Sequence, residues 1–154
     1  KGIVKNIMQT RWQKAWDRTT VAHNLHSKQP TIPRTRYKST QQRKAKTRMI
    51  RIKSSHNRLK THLIKCKLAD SPSCQCGFET QNEGHLLLHC PLGSIQRAVL
   101  IDKVENIYIR HNTPPQERRI DFSTLNWPNH TKTETKAEIT NAVGNFLMSA
   151  GSDL

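Results

Sequence analysis

Cys74-Gln75-Cys76-Gly77-Phe78-Glu79-Thr80-Gln81-Asn82-Glu83-Gly84-His85-Leu86-Leu87-Leu88-His89-Cys90-Pro91 is where the side chains of this 154-residue chain point most directly to chemistry. Three thiols and an imidazole, in the order Cys-x-Cys-x8-His-x4-Cys, are the donor set of a closed, tetrahedral structural zinc site. Four protein ligands leave no coordination position for water, so the site is expected to scaffold and not to catalyse. Gly77 stands where a tight loop has to reverse, a place suited to a residue without a Cβ. Thr80 and Glu83 form a capping-box pattern that predicts a helix from Gln81, carrying His85 on its first turns. Pro91 predicts a break at Cys90 that turns its sulfur back toward the other ligands. The competing reading of the same residues is packed thiols with His85 and His89 merely sharing a helix face. His89 is a fallback ligand, and Cys66 is expected to be a packed thiol. No segment resembles a signal peptide, so a disulfide is not indicated.

Outward from this run the charge is strongly uneven. Residues 1–66 hold 18 Lys and Arg against one acid, Asp17, while 67–154 hold 8 against 10, within a formal net charge of +15. A surface of that kind attracts a polyanion, and phosphate backbones are the commonest choice. The expected contacts are Arg43, Lys44, Lys46, Arg48, Arg51, Lys53, Arg58 and Lys60. Ala45, Met49 and Ile52 recur at helical spacing, and Leu59, Leu63 and Cys66 repeat the pattern, which predicts two short basic amphipathic helices with Ser55 as the second N-cap. A solvated charge run is the alternative. The chain has only eight aromatic residues, so base stacking is weakly supported and binding of low sequence specificity, dominated by phosphate contacts, is expected.

The fold class expected is mainly α: short helices around a small CCHC zinc knuckle, irregular linkers and little or no sheet. Four segments are expected: an N-terminal helical segment at 1–28, a basic helical segment at 29–66, the knuckle and following helix at 67–111, and a linker with a C-terminal helix at 112–154. Ile3, Ile7, Trp12 and Trp16 mark the first helix, and Gln29–Arg36 reads as a linker. Ile95, Val99, Val104, Ile107 and Tyr108 mark a long helix after the knuckle. Pro114-Pro115 and Trp127-Pro128 bound an irregular connection. The last helix is expected from Lys132 to Ala150, entered through Thr131 and Glu134, with Ile139, Val143, Phe146 and Leu147 facing inward. Leu, Ile, Val and Phe make up 32 of 154 residues, a thin core that a metal would reinforce. No apolar stretch reaches bilayer-spanning length, so no membrane partner is expected, and the location expected is nuclear or cytoplasmic. Asn129-x-Thr131 is read as an incidental glycosylation pattern.

The series Trp12-Gln13-x-x-Trp16-Asp17, Arg48-x-x-Arg51-Ile52-x-x-Ser55-His56-x-x-Leu59-x-x-His62-Leu63, Cys74-x-Cys76-Gly77, Glu79-Thr80, His85-Leu86-Leu87-x-x-Cys90-Pro91 and Arg97 resembles the C-terminal region of non-LTR retrotransposon polyproteins. In that family the region follows the reverse transcriptase and, where present, the ribonuclease H domain. The likeness runs from about Gln9 to Arg97, more weakly through Leu125-Asn126-x-Pro128-Asn129-His130 and the final helix. It implies zinc ligation by Cys74, Cys76, His85 and Cys90 in a knuckle that engages nucleic acid, template RNA or target DNA. Ser55 departs from a glycine common in the family. The polymerase and nuclease carboxylates have no counterparts, so no catalytic residue and no small-molecule substrate are expected. The chain does not begin with Met and is expected to be part of a longer protein, its first dozen residues open to reading as a ribonuclease H tail. A host-encoded basic zinc module for RNA or protein is the alternative.

Overall fold

Ala45, Met49 and Ile52 do fall on one buried stripe of a helix, and what covers them organises the larger part of the chain. The computed structural model describes residues 2–20, 23–32, 42–128 and 132–150. The chain divides into two units, 1–38 and 39–154. Within the first, α1 (Gly2–Asp17) is followed by α2 (His23–Lys28). Gln13 donates to the Pro30 carbonyl and accepts from the Ile32 amide, both at 2.8 Å, and the Trp16 indole donates to the Gln29 carbonyl at 2.9 Å. The Gln29–Arg36 linker is therefore tied to α1 as far as Ile32; the rest of it lies outside the described residues. The expected apolar markers Ile3, Ile7 and Trp12 are exposed, and α1 buries none of its residues.

In the second unit α3 (Arg43–Ser54), α5 (Ser94–Arg110) and α7 (Thr133–Ser149) pack around a common core, with α7 between the other two. Met49, Ile52, Leu100, Val104, Ile139, Val143 and Leu147 are all buried there. Between α3 and α5 come the short α4 (Lys60–Lys65), a π-helical turn at His85–His89 and a 3-10 turn at Pro91–Gly93. A second 3-10 turn (Pro115–Glu117) and α6 (Phe122–Asn126) fill the connection to α7. The expected class, mainly helical, holds, and there is no strand among the described residues. From residue 42 onward, the basic, knuckle and C-terminal segments share this one core. Among the described residues no helix is long and apolar enough to cross a membrane.

Four local expectations are corrected. Ile95 and Val99 are exposed at 77% and 51%, because α5 presents Arg97, Leu100, Val104, Ile107 and Tyr108 to its neighbours instead. Ser55 does not start α4; with φ 57° it ends α3 in the left-handed region, its amide returning to the Ile52 carbonyl, and Leu59 begins α4. Cys66 is exposed and not packed. The stretch between Pro115 and Trp127 is not wholly irregular, since Asp121 accepts from the Thr124 amide at 2.8 Å and so caps α6. Ile139, Val143, Phe146 and Leu147 are buried as expected; Thr131 and the Asn129-x-Thr131 pattern lie outside the described residues.

Lys53 is drawn into this packing, with Nζ 4.5 Å above the centre of the Trp127 ring. Burial, helped by repulsion from Lys136, lowers its pKa from the usual 10.5 to about 8. The folded chain therefore holds this proton less tightly than the unfolded chain does. Below about pH 8 both states are charged and the cost of burying the charge is fully present. Between pH 8 and 10.5 only the unfolded state keeps the proton, so stability rises with pH, by up to about 3 kcal/mol before the ring contact is offset. Lys53→Met keeps a flexible side chain against Trp127 without the charge. Urea denaturation at pH 7 and pH 9.5 should show the variant more stable than the parent at the lower pH, with the gap closing at the higher.

Candidate metal centre

The cysteine loop is a tight reversal. Cys74 donates its amide to the Phe78 carbonyl at 2.9 Å, and Gly77, at φ 89°, donates to the Cys74 carbonyl at 3.0 Å. Only a residue without a Cβ adopts that φ cheaply, so the reading of Gly77 holds. The following helical turn starts differently from expectation. Asn82, not Thr80, supplies the cap, its Oδ1 accepting from the His85 amide at 2.8 Å. Glu83 is engaged elsewhere, accepting from Asn57 Nδ2 at 2.8 Å.

The turn is wound as π-helix, with the Cys90 amide reaching the His85 carbonyl five residues back at 2.7 Å. At 3.6 residues per turn, positions five apart on an α-helix point about 140° away from one another. A bond that spans five residues brings them nearly into line. The wider winding thus places Cys90 under His85, and Cys90 leaves the turn extended, at φ −62° and ψ 118°, ahead of Pro91. The break at Pro91 is as expected.

Cys74, Cys76, His85 and Cys90 thereby offer four donor atoms within 4.8 Å of one another, a cluster that can hold a metal ion. Tetrahedral bonds of about 2.3 Å to sulfur and 2.0–2.1 Å to nitrogen separate two sulfurs by about 3.8 Å and a sulfur from a nitrogen by about 3.5 Å. Cys74 Sγ and Cys90 Sγ are 3.8 Å apart, and Cys76 Sγ and His85 Nε2 are 3.3 Å apart. All four thiols of the chain are free. Cys74, His85 and Cys90 are buried and Cys76 is half-buried. Burial pushes the Cys74 thiol up, whereas the Phe78 backbone N–H pulls Cys76 down. Burial, with His89 and Arg97 adding repulsion, lowers His85, so its imidazole is held neutral and can donate a lone pair. His85 Nδ1 is buried and has no hydrogen-bond partner among the described residues. Its ring is oriented instead by Phe78, stacked at 4.5 Å with planes 6° apart. His89, the fallback ligand, is exposed and stands outside the cluster.

Two residues that hold the centre in place carried weak signals in sequence. Arg97, buried on α5, donates to the carbonyls of Leu87 (3.0 Å), Leu86 (3.3 Å) and Cys90, satisfying the C-terminal end of the π turn. Its place in the motif series was the only sign of it. Gln81 joins the loop to α4: its side chain accepts from the Lys60 amide at 3.1 Å, and its carbonyl accepts from Thr61 Oγ1 at 2.9 Å and the Thr61 amide at 3.3 Å. The free amides at the start of α4 are thus capped by the cysteine loop.

The expected cationic contacts separate into two groups. Arg43, Lys44, Lys46 and Arg58 are exposed, and Arg51 and Lys60 are half-buried. Arg48 donates to the Leu147 carbonyl at the end of α7, and Lys53 rests on Trp127, so both serve packing within the helical unit. Comparison with protein-family models, with curated proteins and with solved structures finds no match to the chain.

Proposed function

We propose that this chain is a zinc-stabilised, nucleic-acid-binding region of a retrotransposon reverse transcriptase polyprotein, lying C-terminal to the polymerase and contacting template RNA or target DNA through phosphate groups. One observation carries the reading. Three sulfurs and an imidazole nitrogen lie within 4.8 Å of one another in a loop that caps basic helix α4 through Gln81. Three thiols and an imidazole favour zinc over the harder divalent ions, which prefer oxygen donors. Closing the site fixes the loop and with it the start of α4. Arg43, Lys44, Lys46 and Arg58 project from the neighbouring segment into solvent, where phosphate oxygens can reach them. No catalytic step is assigned, because four protein ligands leave the ion no position for water or substrate.

The test uses the full chain with fluorescent 30-nucleotide RNA, single-stranded DNA and duplex DNA of one sequence, followed by anisotropy. Binding at low salt is expected with little preference among sequences. With about five phosphates neutralised, affinity should fall roughly 10²–10³-fold between 50 and 200 mM salt. Absence of binding at low salt would overturn the reading.

A further inference from the structure

We propose that Trp12 stacks on a base of single-stranded nucleic acid, which gives α1 a binding role of its own beside that of the exposed cations at 43–58. The inference rests on the nucleic-acid reading above and adds bases to a contact otherwise made through phosphates. Most of the motif on α1 is accounted for within its own unit. Gln13 bonds Pro30 and Ile32, the Trp16 indole donates to the Gln29 carbonyl, and Gln9 Nε2 donates to the Ile32 carbonyl at 2.8 Å. Asp17 accepts from Gln13 Nε2 at 2.7 Å and lies 3.6 Å from His26 Nε2. Trp12 is the remainder: it is 55% exposed, and an indole left in water forgoes the burial through which aromatic residues stabilise a fold. Residues 1–38 hold nine Lys and Arg against that one acid, Asp17, so the surroundings of Trp12 favour a polyanion.

The arrangement of side chains around α1 decides what kind of partner this surface fits. At about 100° per residue, Lys5 and Trp12 stand about 20° apart and two turns from each other, with Met8 between them. Asp17, five residues on from Trp12, points about 140° away, so the acid is turned from the indole. Lys14 falls between Ile3 and Ile7 on the circumference, and Arg11 between Ile7 and Val4, all five of them exposed. An apolar stripe broken twice by charge does not suit a lipid surface, which takes cations and apolar residues on opposite faces, nor a packed helix. Nucleic acid accepts the mixture. The indole offers a flat face to any base, and Lys5 and Arg11 offer charge to the phosphates of flanking nucleotides. Lys5 is about 10 Å along the axis from Trp12, about three phosphate steps of a strand at 3.4 Å each. Bases in a duplex are already covered by their neighbours, so the contact selects single strands.

The test uses the full chain with a fluorescent 30-nucleotide single strand and the duplex of the same sequence, followed by anisotropy. Trp12→Ala should weaken binding to the single strand by between about 5- and 150-fold, the span for loss of one aromatic stack. Affinity for the duplex and the slope of log affinity against log salt should not move, because no phosphate contact is lost. The circular-dichroism spectrum should stay that of the parent. Trp12→Phe keeps an aromatic face and should retain most of the single-strand affinity. An unlabelled single strand should quench the tryptophan fluorescence of the parent, and the quench should vanish in Trp12→Phe, which keeps Trp16 and Trp127. Parent-like single-strand affinity in Trp12→Ala would overturn the proposal and leave the phosphate contacts standing. So would an equal loss on the duplex, or a quench undiminished in Trp12→Phe. A parent chain that binds neither strand form removes the nucleic-acid reading and this contact together.

Discussion

Exchange of Cys76 for Ser should release the ion from the cysteine loop and unfold the segment around it, the largest loss of stability expected from a single substitution in this chain. Structural zinc contributes an apparent 10–16 kcal/mol, roughly, to the folding of small metal-dependent units at neutral pH. Domains as a whole are stable by only about 5–15 kcal/mol. Besides an ion, the loop is held by the Cys74–Phe78 and Cys74–Gly77 backbone bonds, the Phe78 stack on His85, Leu87 in the core and the hydrogen bonds of Gln81, Glu83 and Arg97, each worth only about 1 kcal/mol or a little more. Once the loop opens, Gln81 no longer caps α4, and Arg97 keeps its buried charge but loses the carbonyls of Leu86, Leu87 and Cys90. An unpaired buried charge is itself costly, so the damage should spread to the start of α5. Metal count should fall by one ion, and hydrogen exchange should speed at the amides of Gln81, His85 and Cys90. Amides in the middle of α7, which depend on packing with α3 and α5, should keep more protection. Full occupancy with those amides still protected would strike Cys76 from the ligand set.

The clustering of Cys74, Cys76, His85 and Cys90 was legible because its chemistry is local and its residue types are rare; spacing alone picked out the four side chains that the fold brings within 4.8 Å of one another. The winding between them was not, since a π turn answers to where His85 and Cys90 must converge, and helical periodicity carries no trace of that demand. Thr80 and Asn82 are both good caps two residues apart, and the choice of Asn82 depends on how the loop approaches the turn. On α5, apolar residues occupy more than one face, and only the position of α7 settles that Leu100 and Val104 turn inward while Ile95 and Val99 do not. Arg48 is different, because its signal was present. It sits at i+3 from Ala45 and one before Met49, on the edge of the buried stripe, where a long side chain lies along its neighbours before its head group finds a partner.

That division among the cations sets the largest expected effect on binding. Replacing Arg43, Lys44, Lys46 and Arg58 together by Gln removes four exposed charges, and no core contact depends on them. If each neutralises one phosphate, the slope of log affinity against log salt on duplex DNA should shrink by about 3.6, at roughly 0.9 per contact. At 0.1 M salt the same count corresponds to a loss on the order of 10³-fold in affinity. The variant should melt like the parent, since exposed substitutions of this kind seldom move stability by more than about 0.5 kcal/mol. Lys53→Met is the control with the opposite expectation: its ammonium faces the Trp127 ring, so the salt slope should stay where it is while stability changes. Arg48→Gln should lower stability through the lost bond to the Leu147 carbonyl, again with little change in slope. A slope unmoved by the fourfold change would exclude α3 and the turn before α4 from the binding surface. A slope moved as much by Lys53→Met would mean that its charge reaches the phosphates after all.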